Sequence, residues 1–257
     1  MAAIKILKYV IFDILRSKLV ISYTVLLFIL TIGLIYAGNN VDKAVISLLN
    51  IVLILVPLVC IIFSTVHIYN SNKFMEMLLA LPVKRNSIFW AEYLGLSVSL
   101  SIGLIIGIGI PLEAYGAGVT GIELVSAGMF LTFIFTAFAF LSSVINKDKA
   151  KGIGFSLMMW FYLSVIFDGL VIMIYMLFSD YPLEKIVLVL TALNPVDLAR
   201  IMILMKLDIS ALMGYTGATF QNFFGGALGT AFTLFFLHMW TVIPLAFAKR
   251  IFNRKNF

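Results

Sequence analysis

Ala44-Val-Ile-Ser-Leu-Leu-Asn-Ile-Val-Leu-Ile-Leu-Val-Pro-Leu-Val-Cys-Ile-Ile-Phe-Ser-Thr-Val-His67 runs for 24 residues without one Asp, Glu, Lys or Arg. At about 1.5 Å of rise per residue, a helix of that length crosses the roughly 30 Å hydrocarbon core of a bilayer. Residues 19–37, 88–111, 123–145, 152–178 and 226–248 read the same way. An amide left unpaired in lipid is costly, so each crossing must be a helix, and the alternation of a β-barrel strand is absent. The fold class that follows is all-α: one polytopic membrane domain over residues 1–257 with six transmembrane helices.

Composition agrees with that reading. Hydrophobic residues make up 63% of the chain and charged residues only 12%, against about 25% charged in soluble domains, and the mean hydropathy is +1.12. A soluble globular domain is excluded. Disorder, a disulfide scaffold and a coiled coil are excluded too, by the scarcity of charge, the single cysteine and the lack of a sustained heptad.

Orientation follows from the cations. Lys5, Lys8, Arg16, Lys18, Lys73, Lys84, Arg85, Lys147, Lys149, Lys151, Lys249, Arg250, Arg254 and Lys255, fourteen of the eighteen Lys and Arg, fall at the termini and at alternate loops. By the positive-inside rule that side is cytoplasmic, with both termini on it. The net charge of +6 is therefore a topological signal and a lipid-surface contact, and it calls for no nucleic acid.

Three segments stand outside the crossings. Residues 1–18 place Leu7, Val10, Ile11 and Ile14 on one helical face and Lys5, Lys8 and Arg16 on the other, which predicts a retained interfacial helix with its apolar face in the acyl boundary. Residues 70–86 contain Asn70-Ser-Asn-Lys-Phe-Met-Glu-Met-Leu-Leu-Ala-Leu-Pro-Val-Lys-Arg85. Phe74, Met77, Leu78 and Leu81 recur at i, i+3, i+4 and i+7, and Pro82 stops the helix. So short a helix needs packing to stabilise it. With little cytoplasmic mass in this chain, the pattern fits docking into a groove of another protein, with Lys73, Glu76, Lys84 and Arg85 as polar rim. Packing on its own bundle or on the bilayer surface is the alternative.

The interfacial N-terminus, the six crossings and the run Glu76-Met-Leu-Leu-Ala-Leu-Pro-Val-Lys-Arg85 resemble the permease subunits of ABC-2 type ABC transporters. That resemblance implies that residues 70–86 are a coupling helix docking into a separate ATPase subunit, and that the permease works with a second copy of itself. No Gly-x-x-x-x-Gly-Lys-Ser/Thr loop occurs here, nor a His-Glu-x-x-His or Gly-x-Ser-x-Gly motif. Binding of ATP and Mg is thus expected in the partner, with no cofactor and no catalytic residue in this chain. His67 and His238 read as hydrogen-bonding residues.

A narrower resemblance lies between residues 165 and 204. An acid within the fifth crossing, Asp168, is followed by Asn194-Pro-Val-Asp197-Leu-Ala-Arg200, similar to the NosY group of permeases that serve copper-site assembly in nitrous oxide reductase. This implies a periplasmic β-helix protein as a further partner, seated on the extracytoplasmic insert 180–224. That insert reads as a helical hairpin resting in the outer interface, with Asp197 and Arg200 exposed for contact. Asn194 and Pro195 have an equally complete reading as the start of a helix, Asn194 capping it and Asp197 favoured near its N-terminus.

Asp168 is the residue most in need of a partner. A carboxylate at membrane depth costs about 2.5–3.5 kcal/mol, so it should face the interior, pair or take a proton. Glu92, the other acid within a crossing, is expected to reach headgroup-level water. The Met-x-x-Met pairs Met173/Met176 and Met202/Met205 read as core gap-fillers rather than as a copper path, Cys60 as a buried hydrophobe, and no metal site is expected. Gly103-x-x-x-Gly107 and Gly225-x-x-x-Gly229 allow close helix approach, inside a protomer or at a dimer seam. A generic ABC-2 exporter of a lipid or hydrophobic solute, or a non-transporting scaffold, remains as an alternative function.

Overall fold

A computed structural model describes residues 2–38, 41–80, 83–178, 189–204 and 226–254. Among them every regular element is helical, and six helices are long and apolar enough to cross a membrane. The first two crossings are α2 (Lys18–Gly38) and α3 (Val41–Asn70). The short α4 (Asn72–Ala80) leads to the third, where α5 (Arg85–Leu104) passes through a π turn at Ile105–Gly109 into α6 (Ile110–Ala114). The fourth is α7 (Gly118–Ile145). The fifth is broken similarly, α8 (Lys149–Phe161) joining α9 (Phe167–Leu177) through a π turn at Tyr162–Ile166. After α10 (Pro195–Leu204) comes the sixth, α11 (Ala227–Arg254). All six segments expected from apolar length are present.

The core lies between α3, α5 and α7, where Leu48, Leu53, Ile61, Leu96, Leu100 and Phe135 are fully buried. Small residues set the spacing. A side chain at Gly107 would come within 2.7 Å of Leu27 Cβ and one at Gly103 within 2.7 Å of Thr24 Oγ1, so this Gly-x-x-x-Gly pair serves packing of the third crossing on α2 inside one protomer. Gly225 lies outside the described residues. By contrast α2, α8, α9 and α11 leave apolar side chains such as Ile29, Phe161, Ile172 and Phe247 uncovered, as suits helices facing acyl chains.

Chain reversals tie one end of the bundle together. Asp148 caps α8, accepting from the Ala150 and Lys151 amides at 2.7 and 3.3 Å. Tyr69 donates to the Asn146 carbonyl at 2.8 Å, Lys149 to Asn70 Oδ1 at 2.8 Å, and Asn253 Nδ2 to Asn86 Oδ1 at 2.9 Å. The ends of α3, α7 and α11 and the starts of α5 and α8 therefore meet at the Lys/Arg-rich end.

The first helix, α1 (Ala2–Leu15), corrects one expectation. Its apolar face is turned toward α5 rather than into lipid. Val10 and Ile14 are buried, and Gly95 on α5 leaves room for the Val10 side chain. Packing against a groove already relieved by glycine gives dispersion contacts that fluid acyl chains match less well. Ile4, Tyr9 and Phe12 form the uncovered face.

Candidate functional site

The fifth crossing carries the first polar cluster. Counting 19 residues from Lys149 to Asp168, about 28 Å at 1.5 Å per residue, the cluster lies at the end of the bundle away from the basic loops. A π turn shifts the backbone hydrogen-bond pattern at Tyr162–Ile166. Asn194 Nδ2 donates to the Leu163 carbonyl in that turn at 2.8 Å, while Asn194 Oδ1 accepts from the Val196 amide at 2.9 Å. One fully buried side chain thus starts α10 and fastens it to the irregular turn of the fifth crossing.

Asp168 stands two residues beyond that turn, in the first turn of α9. Its Oδ2 accepts from Arg200 Nη2 at 2.7 Å, and Arg200 Nη1 donates to Asp197 Oδ1 at 2.9 Å. The intramembrane acid is thereby paired, as its desolvation cost demands. One guanidinium serves two carboxyl groups. Burial, reinforced by the neighbouring Asp168 charge and opposed by Arg200, pushes the Asp197 carboxyl up to about 7. Asp168 Oδ1 is buried without a hydrogen-bond partner among the described residues.

This geometry corrects the expected exposed contact surface. Asn194, Pro195 and Asp197 are buried, and the Arg200 side chain, 33% exposed, is committed to Asp168 and Asp197. Pairing a costly intramembrane acid outweighs solvation of the arginine. Nor does this part of the insert rest on the outer interface. Val196, Leu198, Ala199 and Ile203 are buried in the core, and Trp240 on α11 donates to the Ala192 carbonyl at 3.1 Å. The remainder of the expected hairpin, 180–188 and 205–224, lies outside the described residues.

The crossings themselves hold no sign of the Asp168–Arg200 pair, because the cation stands 32 residues further along the chain, on α10. A signal was present nonetheless: Arg200 stands alone in the apolar run Leu198-Ala-Arg-Ile-Met-Ile-Leu204. A cation and an acid that are both expensive in apolar surroundings are natural partners.

At the basic end, α4 spans much of the predicted segment, but its apolar side chains divide. Met75, outside the expected pattern, is buried. Leu78 packs on the core and Phe74 sits 5.6 Å from the Tyr9 ring of α1. Met77 points away, 69% exposed, with Lys73, Glu76, Lys84 and Arg85 also exposed. The single outward face expected from Phe74, Met77 and Leu78 is thus corrected: a nine-residue helix with so small a core of its own uses part of that face to hold to the bundle. Leu81 and Pro82 lie outside the described residues.

Glu92 also departs from expectation. Its side chain is 2% exposed instead of reaching water, and Oε2 lies 3.7 Å from His67 Nε2. α1 and α4 close over it, forming with α3 and α5 a cavity of about 310 Å³. Elsewhere, no group of three His, Cys, Asp or Glu side chains is placed to hold a metal among the described residues. Met173 and Met176 are exposed on α9 rather than filling the core, while Met202 is buried. Met205 lies outside the described residues, and Cys60 is buried in α3.

Comparison with known proteins supplies the family. Residues 37–257 match the model of the ABC-2 family transporter proteins. The chain is 23% identical over 266 residues to a protein of Stutzerimonas stutzeri named "Probable ABC transporter permease protein NosY", with 95% of each chain covered. It is 25% identical over 265 residues to the protein of the same name from Pseudomonas aeruginosa, covering 95% of this chain and 94% of the relative. With six apolar crossings and a family match over most of its length, this multi-pass membrane protein belongs to the ABC-2 family of ABC transporter permeases.

Proposed function

We propose that this chain is the membrane subunit through which a separate ATPase drives a change of shape across the bacterial inner membrane, with both termini cytoplasmic. The observation that carries this reading is the outward side of α4. At the basic end of the bundle, Met77 stands exposed on α4 with Lys73 and Glu76, and Lys84 and Arg85 are exposed just after it in the chain. An apolar anchor with a polar rim is the arrangement that helix-in-groove docking uses. Residues 70–86 serve as the coupling helix, with Phe74 and Leu78 joining it to the bundle and Leu81 and Pro82 completing the segment. ATP and Mg bind to the ATPase, and two copies of the permease face two ATPases.

Displacement of α4 passes to the crossings as rigid bodies. At the far end, Asn194 and Arg200 tie the fifth crossing to α10, so tilting that crossing carries the insert with it. The finer reading follows the NosY name of the relatives and the Asp168 and Asn-Pro-x-Asp-x-x-Arg pattern. In it, the ATPase is NosF-like, a NosD-like periplasmic β-helix protein receives the movement on the insert 180–224, and the output serves copper-site assembly of nitrous oxide reductase. Asn194, Pro195, Asp197 and Arg200 support that contact from within, as the attachment of the insert.

Purification of the chain from its native membrane in mild detergent, with mass spectrometry of what accompanies it, tests the reading. Recovery of a P-loop ATPase together with a secreted repeat protein is expected. Met77→Asp should release the ATPase and leave the permease folded. A fully active complex with that variant overturns the docking assignment.

A further inference from the structure

The cavity at the basic end has the chemistry of a cation site. Its wall takes Tyr9 and Asp13 from α1, His67 and Asn70 from α3, Phe74 from α4 and Glu92 from α5. Glu92 Oε2 is buried with no hydrogen-bond partner among the described residues, and His67 Nε2, at 3.7 Å, is beyond hydrogen-bond reach. A carboxylate withdrawn from water requires a cationic partner or a proton. Asp13, exposed, adds a second carboxylate to the wall, and no Lys or Arg lines the cavity.

Size and position narrow the class of ligand. A volume of about 310 Å³ far exceeds that of a bare ion, and no three ligating side chains converge as a metal requires. An ammonium on a short organic arm fits better, since its N–H groups can donate to the unpartnered Glu92 Oε2 and to the Asp13 carboxylate, while Asn70 Oδ1 already accepts from Lys149. The cavity lies where the second crossing ends and the third begins, the level of the headgroups. Lys8 on α1, Arg16 just after it and Lys73 on α4 are exposed, cations of the kind a phosphate pairs with. We infer that this cavity holds the ammonium of an amine-headgroup phospholipid, accepted by Glu92 and Asp13, and that the lipid joins α1 to α4 behind the Tyr9–Phe74 ring contact. The inference does not depend on the docked ATPase.

Native mass spectrometry of the full chain in mild detergent at pH 8 provides the test. The chain is offered equal amounts of phosphatidylethanolamine, phosphatidylglycerol and phosphatidylcholine. Wild type should retain phosphatidylethanolamine over the other two by roughly tenfold, as a charge-assisted hydrogen bond to a buried carboxylate supplies. Glu92→Gln should abolish the preference, and Glu92→Asp should restore part of it. Asp13→Asn, at an exposed position that folding does not require, should reduce it by about threefold. Displacement of the bound lipid by free ethanolamine would support recognition of the amine. Equal retention of the three lipids overturns the inference, as does a preference unchanged in both Glu92→Gln and Asp13→Asn. Binding of ethanolamine without preference among lipids moves the ligand from the bilayer to the cytosol and overturns the lipid assignment.

Discussion

Each end of the bundle holds a carboxylate on a crossing beside a short helix, yet the two are treated in opposite ways. Asp168 meets Arg200 at 2.7 Å, and α10, which brings the arginine, is packed into the core. Glu92 has His67 at 3.7 Å and no hydrogen bond to its Oε2 among the described residues, and α4, which helps cover it, keeps Met77, Glu76 and Lys73 at the surface. The far cluster is a set of bonds that fixes one helix to another, with Asp168 Oδ1 left unbonded among the described residues. The near one is a cavity roofed by two helices whose outer sides remain available. Rigidity at one end and an open face at the other is what a transmitter needs if force enters on one side and a fixed attachment carries it on the other.

Arg200→Glu should have the largest effect. It removes the cation that pairs with both carboxylates of the far cluster and places three acids together, which should cost on the order of 3 kcal/mol, the scale of breaking a buried ion pair. The thermal midpoint in detergent should fall steeply while ATPase recovery persists. Unchanged stability would mean that Asp168 finds another partner. Asn194→Ala comes next. Losing the bonds to the Leu163 carbonyl and the Val196 amide should cost about 2 kcal/mol, and hydrogen exchange should rise first at 163–166 and 195–204.

The third prediction concerns pH. The folded-state value of Asp197, about 7, is above its ordinary value near 4. The folded state therefore holds the extra proton in that window. This contribution to stability is complete below about pH 4 and is lost as pH rises through about 7. Melting curves from pH 5 to pH 8 should show the decline, and Asp197→Asn should remove it. Met77→Asp should have the smallest effect on stability, within about 0.5 kcal/mol for an exposed position, although it should have the greatest effect on ATPase retention. A large loss of stability in that variant would place Met77 in the permease's own packing.

How far the sequence could be read depended on the range of the interactions. Apolar length is a local property, so the crossings appeared directly, as did Asn194-Pro195 as a helix start. The site at the basic end was half legible. The spacing of Phe74, Met77 and Leu78 marked a helix, but which side faced the bundle depended on Tyr9 and the groove beside it. Met75 was missed because a buried residue off the periodic stripe gives no signal of its own. Glu92 was read as reaching water because the arrival of α1 and α4 over it is a tertiary event.

The multi-pass membrane class and the six crossings were settled by residue chemistry alone, because transfer of apolar side chains into lipid acts segment by segment. The pairing of Asp168 with Arg200, 32 residues apart, and the enclosure of Glu92 by α1, α3 and α4, which all precede it in the chain, were decided only by tertiary structure. Burial of charge is a property of surroundings, and no stretch of sequence carries its own surroundings.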